Sequence, residues 1–488
     1  MSSQTDDLKI MEFIKKLGGY ASGNLLTLIA GLLSFPIFTR MLSTSDYGVM
    51  SLINLTSSLC ITFCKGGLQH ALIREWDDNK EHERIIVSTA LFGSAIITGV
   101  ILFILGSITI FITYYSNSWM YAIYFCIICG LTTTEVIKSI FYNKIRATQD
   151  TLWYNIITVF SKYGQITFAV LFMILYSNTA VGLFSGFIVI SITIVILLFY
   201  RNRKHISLAA FDCHKFRTML AFGFPLIFYE LNNMLLTFVD RYFIGIFQGV
   251  ATVGAYSAAY NMTFYIQNLL VSSVSLTLYP MVVEKLKKEN SDAYRQFMRE
   301  SLLWFCLVSS AVVLGFAALG KDVFLLSATV KYAEATVVIT PVICGSFFYG
   351  VFIVSSSELF VQNNTKAMAL IMTIAALINL ALDILLIPRM KLLGAAYATL
   401  IPEIFLAVVG LWKMGVMKDK ELLVRIIHYC VPGIIMYTAL VFFGGRTAWS
   451  SIMIRVFIGI TLWICTVLLT NKLVRNQLIL WINLRKIN

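Results

Sequence analysis

Three long stretches, residues 85–134, 163–200 and 242–283, contain no Asp, Glu, Lys, Arg or His. A bilayer-crossing helix uses about 20 apolar residues, so each stretch is too long for one crossing and suits two joined by a tight polar turn. The turns can be read directly: Tyr115, Ser116, Asn117 and Ser118 in the first, Ser177, Asn178 and Thr179 in the second, Gln248 and Gly249 in the third. Extending the pattern along the chain predicts fourteen spans, at about 18–39, 47–69, 85–112, 119–141, 153–176, 179–200, 220–246, 253–282, 300–325, 336–362, 367–387, 393–413, 423–444 and 450–471. Helices are the expected form, because lipid offers no partners to exposed backbone groups.

Composition agrees. Of 488 residues, 58% are hydrophobic and 13% charged, which excludes a soluble multi-domain protein and leaves no room for a large catalytic domain outside the membrane. Residues 1–16 are polar and lack an apolar core before a cleavage site, so no removable leader is expected. The net charge of +13 could suggest nucleic acid. Assigning loops to alternate sides, however, puts 29 Lys and Arg on one side against 6 on the other. That asymmetry is the positive-inside signal of a multi-pass protein with both termini cytoplasmic, and no nucleic-acid partner is expected.

An internal repeat refines the organisation. Gly48, Ser51 and their neighbours align with Gly254 and Ser257 at an offset of about 206, and Gly182 with Gly394 at about 212. Six spans therefore recur with the same entry side, as in parallel-repeat carriers. The expected divisions are an N-lobe (1–205), a C-lobe (206–415) and a C-terminal helix pair with its tail (416–488). Pro36, Pro225, Pro280, Pro341, Pro402 and Pro432 lie inside apolar segments, where they can bend spans.

Ionisable residues inside the bilayer are costly and usually face an interior cavity. Lys162, Glu230 and Glu403 fall near mid-depth, whereas Asp240, Arg241 and Asp383 fall nearer the outer surface. Lys162 is read as a cation for an anionic substrate or as the partner of a buried glutamate. Glu230, Glu403, Asp240 and Asp383 are read as ion-coupling carboxylates or as structural pairs. Arg241 at its depth could also snorkel, and Arg455, Glu135, Lys138 and Glu358 are expected to snorkel from span ends. Tyr229, Asn232 and Asn233 could hydrogen-bond sugars.

Enzyme chemistry finds no support. Gly315 to Lys321 imitates a phosphate loop, but Asp322 stands where Ser or Thr is needed. Cys126 and Cys129 form a C-x-x-C without partner histidines and read as apolar fillers. No metal site, cofactor or catalytic residue is expected.

Ordered motifs then point to a family. Pro36, Thr39 and Arg40 lead into Asp46, Tyr47 and Gly48. Phe224, Pro225 and Leu226 precede Asp240, Arg241 and Gly245, then Gly254, Tyr256 and Ser257. Ile387 and Pro388 precede Gly394, Ala395, Ala396, Ala398 and Thr399. Over about residues 10–410 this order resembles the polysaccharide-transport, O-antigen flippase-like branch of the multidrug/oligosaccharidyl-lipid/polysaccharide exporter superfamily. The resemblance implies an all-α integral membrane fold of about fourteen helices: two six-helix lobes, two added C-terminal helices and a V-shaped central cavity. It implies a flippase moving undecaprenyl-pyrophosphate-linked oligosaccharide between leaflets of a bacterial inner membrane by alternating access, with ion antiport as the drive. The implied partners are that lipid-linked substrate, membrane lipids and the polymerase and chain-length machinery of the same pathway. Arg40, Asp240 and Arg241 match family motif positions, whereas Lys162, Glu230, Glu403 and Asp383 rest on depth alone. With Arg40 and Arg241, Lys162 forms the expected set of substrate-binding cations. The alternatives are a cation-coupled multidrug exporter of the same superfamily and a membrane polysaccharide polymerase or ligase, though residues 321–334 form too short an outer loop for the latter.

Overall fold

The computed structural model describes residues 2–77, 79–288, 291–357, 365–445, 447–471 and 475. Glu358, the Tyr229 side chain and the tail beyond residue 475 lie outside the described residues. The described chain is helical: α1 (Ser2–Met41), α2 (Thr44–Lys65), α3 (Leu68–Arg74), α4 (Lys80–Ser116), α5 (Met120–Ala147), α6 (Thr151–Leu175), α7 (Ala180–Asn202) and α8 (Cys213–Phe238). It continues through α9 (Asp240–Gln248), α10 (Val250–Lys288), α11 (Ser291–Ala328), α12 (Thr336–Ser355), α13 (Thr365–Lys413), α14 (Lys420–Phe443) and α15 (Trp449–Thr470).

Among the described residues, 12 helical segments are long and apolar enough to cross a membrane. The longest, α13, has non-helical backbone at Lys391 (φ 54°, ψ −130°), between expected spans 11 and 12, so it supplies two crossings. Helix α10 covers expected span 8. About fourteen crossings therefore fit, as the pattern of uncharged runs predicts.

Local signals set the helix starts. Ser43, Asn79, Asp150 and Asp419 each accept a backbone N–H of the following first turn at 3.0–3.1 Å. Two expected spans are broken rather than continuous. Span 2 stops at Gly66 and restarts as α3 at Gly67, both with positive φ (59° and 71°). A Cβ at Gly67 would overlap the backbone of Gly223, so glycine also permits the contact of α3 with α8. Span 7 breaks at Val239, between α8 and α9.

Contacts divide the chain into two compact units, Met1–Phe238 and Val239–Asn488. Helix α8, which the repeat assigns to the second lobe, packs within the first unit against α2, α3 and α4. The core of that unit gathers Leu68, Leu72, Ile86, Phe141, Ile190 and Met219 from five helices. In the second unit Leu302, Cys306, Val351 and Ala407 form the core, and α14 packs along α11.

Candidate functional site

In the first unit, Glu230 on α8 meets three side chains from α2 and α3. His70 Nε2 lies 2.9 Å from its Oε1, Gln69 Nε2 donates to the same oxygen at 3.3 Å, and Lys65 Nζ is 3.8 Å from Oε2. Residues 65 and 230 are distant in sequence, and Lys65 had been counted with a cytoplasmic loop. The break at Gly66–Gly67 turns α3 so that both Lys65 and His70 reach the carboxylate.

A second charged group joins α5, α6 and α7. Lys138 Nζ contacts the Glu135 carboxylate three residues away and donates to Ser191 Oγ at 3.2 Å. The Lys138 side chain is 2% exposed and Glu135 36%. Lys138 is therefore buried and paired, which corrects the expectation that it snorkels. Lys162 on α6 is partly buried, and the charges of Glu135 and Lys138 both act on it. It has no hydrogen bond or ion pair among the described residues. Arg40 lies exposed in the last turn of α1. Near the C-terminal ends of α5 and α7, Lys144 pairs with Glu83 at 2.9 Å and donates to Asn202 at 2.8 Å, while His205 sits 2.9 Å from Glu83.

The second unit is built differently. Asp240 and Arg241, the first residues of α9, are both 2% exposed. The Tyr256 hydroxyl donates to Asp240, whose Oδ1 lies 3.5 Å from Arg241 Nη1. Arg241 Nε donates to Ser257 at 3.2 Å and Nη2 to Asn261 at 3.4 Å, with the guanidinium stacked 4.7 Å from the Tyr260 ring centroid. Ser257, Tyr260 and Asn261 all belong to α10, so Arg241 clasps α9 to α10. It neither snorkels nor projects as a free cation.

Asp383 on α13 is fully buried, and neither carboxylate oxygen has a hydrogen-bond partner among the described residues. The Asp240 charge acts on it. One turn away, Asn379 donates to the Ala398 carbonyl at 2.9 Å, and its own Oδ1 likewise lacks a described partner. Glu403 is buried too; Gln267 donates to its Oε1 at 3.4 Å, and Oε2 lacks a described partner. A side chain at Gly345 would collide with that Oε2, so glycine on α12 makes room for the carboxylate. Nearer the end of the same unit, Arg455 Nη2 pairs with Asp322 at 2.6 Å and is buried, which again corrects a snorkelling expectation.

Sequence reasoning singled out Lys162, Glu230, Asp240, Asp383 and Glu403 by depth, and it did not single out Lys65, His70 or the burial of Lys138 against Glu135. No group of three or more His, Cys, Asp or Glu suited to a metal occurs among the described residues. A cleft of about 540 Å³ between the C-terminal end of α4 and the N-terminal end of α5, lined by Thr113, Tyr114, Trp119 and Phe125, contains none of these charged groups.

The long apolar helices and their buried charges define a multi-pass membrane protein. The model of the family described as "Polysaccharide biosynthesis protein" matches residues 13–286, more than half of the chain, and the chain belongs to that family. A second model, MatE, matches residues 225–385. The chain is 22% identical over 317 residues to a Klebsiella pneumoniae protein described as "Uncharacterized membrane protein in cps region". That alignment spans 64% of this chain and 63% of the relative. Among solved structures, the fold is similar to "Lipid II flippase MurJ, inward closed conformation", with a TM-score of 0.74 and 16% identity over 92% of this chain and 98% of that one. A MATE-family multidrug transporter in an inward-facing conformation gives 0.61 and 13% identity over 80% and 99%. The chain thus falls in the polysaccharide exporter and flippase superfamily.

Proposed function

We propose that the chain is a flippase that carries a lipid-linked oligosaccharide, an O-antigen or related surface-polysaccharide repeat unit on undecaprenyl pyrophosphate, from the cytoplasmic to the outer leaflet of a bacterial inner membrane. Both termini are cytoplasmic in this reading, and the polymerase and chain-length machinery of the pathway are its partners. The observation that carries the reading is Lys162: a partly buried ammonium deep in a span, with no ion pair among the described residues, in a member of a polysaccharide biosynthesis family. A buried cation without a partner is costly, and an anionic diphosphate head group would neutralise it. Lys162 and the exposed Arg40 are the substrate-binding cations. Arg241 acts indirectly, by holding α9 on α10.

In the second unit, Asp240 and Asp383 would hold the coupling cation, because the unpartnered Asp383 oxygens are the ligands such an ion needs. Glu403 is a second candidate by the same argument, whereas the three partners of Glu230 favour structural pairing. The acidic second unit, together with the MatE match over 225–385, also supports the alternative of a cation-coupled multidrug exporter.

Surface polysaccharide in a flippase-deficient bacterial host tests the choice. The chain should restore export, and Lys162→Ala should lower it by roughly tenfold, the equivalent of one charge pair, at unchanged membrane level. Full export by the variant would remove Lys162 from the substrate site.

A further inference from the structure

The cluster around Lys162 contains more than the substrate reading requires. Glu135 and Lys138 lie one turn apart on α5, and Tyr142, a further turn along the same face, packs edge-on against Tyr154 of α6 at 6.0 Å between ring centroids. That contact brings the α5 face against the helix that carries Lys162. Ser191 on α7 closes the group from a third side by accepting from Lys138. Glu135 therefore pairs with Lys138 beside the helix that carries Lys162, which itself makes no ion pair among the described residues. Of the ion pair, Lys138 is enclosed and Glu135 is open, at 2% against 36% exposure.

This asymmetry has a chemical consequence. A carboxylate at the accessible edge of a cationic pair is the group that an incoming anion meets first. A phosphate group has more acceptor oxygens and more charge than a carboxylate, so it can replace the carboxylate on Lys138 while it also meets Lys162. The carboxylate is tethered and returns once the phosphate leaves. It therefore keeps Lys138 from standing unpaired in the membrane, and it keeps phosphate affinity low enough for release.

We propose that Glu135 is a built-in counter-ion, which holds Lys138 when no substrate is bound and is displaced by the phosphate groups of the anionic head group that Lys162 binds. The inference rests on the reading of Lys162 as a substrate cation. It adds Lys138 to the binding site and gives Glu135 a role opposite to that of a ligand: it competes with the substrate.

Inorganic diphosphate is the probe, titrated by calorimetry into the purified full-length chain in detergent micelles. Removing the competitor in Glu135→Gln should tighten binding about tenfold, the scale of one charge pair. Glu135→Asp, which keeps the charge, should bind as the wild type does. Adding Lys162→Gln to Glu135→Gln should cancel the gain. Glu135→Ala provides a second removal of the charge should Glu135→Gln not elute as a folded species. Unchanged or weaker binding on loss of the charge, or no diphosphate binding by any of the proteins, would overturn the proposal. The flippase reading is tested separately by glycan export. Tighter binding by Glu135→Gln in a chain that restores no export would leave the anion site standing and remove the flippase, and the converse result would remove only the counter-ion.

Discussion

The two units carry opposite surpluses of charge among their described intramembrane residues. In the first, Lys65, Lys138 and Lys162 stand against two carboxylates, Glu135 and Glu230. In the second, Asp240 meets the Arg241 guanidinium, while Asp383 and Glu403 pair with no described cation and keep oxygens without described partners. The two units thus differ in side-chain chemistry although both are built of helices. A surplus of cations suits an anionic head group, and a surplus of carboxylates suits a cation. Pairing inside the membrane separates structural charges from the rest, because a satisfied pair is spent on packing and an unsatisfied one is open to a ligand.

The comparison breaks most sharply at Arg241. Arg241→Ala would leave Asp240 buried and facing only Tyr256, at a cost of about 3–5 kcal/mol. The expected outcome is a large fall in melting temperature or loss of folded protein in detergent, while Lys162→Ala melts within a few degrees of the wild type. Equal behaviour of the two variants would erase the distinction between a clasp and a ligand-binding cation.

A smaller effect is expected at Arg455. Its pair with Asp322 is partly open, so Arg455→Ala should cost about 1.5–3 kcal/mol, the range for a charged hydrogen bond. Glycan export per folded molecule should not change, and a selective loss of export would make this pair part of the carrier's working chemistry.

The fold was more legible in the sequence than the site, for a physical reason. Uncharged runs such as residues 85–134 announce crossings because lipid excludes charge, and positive loops orient them. Depth along a helix was harder to read. Lys65 and Lys138 stand near span ends in the sequence and were counted as cytoplasmic. The turn at Gly66–Gly67 and the contact with Ser191 draw them to interior partners. The partners of Glu230 lie some 160 positions away, beyond the reach of any helical periodicity. The break at Val239 has neither proline nor glycine at the position, and its backbone keeps helical angles (φ −66°, ψ −29°), so no sequence signal marks it.

One measurement tests the central claim, that the first unit binds anion and the second binds cation. Thermal stability of the purified chain is followed while sodium diphosphate is compared with choline diphosphate, and sodium chloride with choline chloride. A ligand at about 100 times its dissociation constant stabilises by about 2.7 kcal/mol, enough to resolve in a melt. Lys162→Ala should lose the stabilisation by diphosphate and keep that by sodium, and Asp383→Ala should do the reverse. Loss of both responses in either variant, or of neither in both, would contradict the assignment of opposite ligands to the two units.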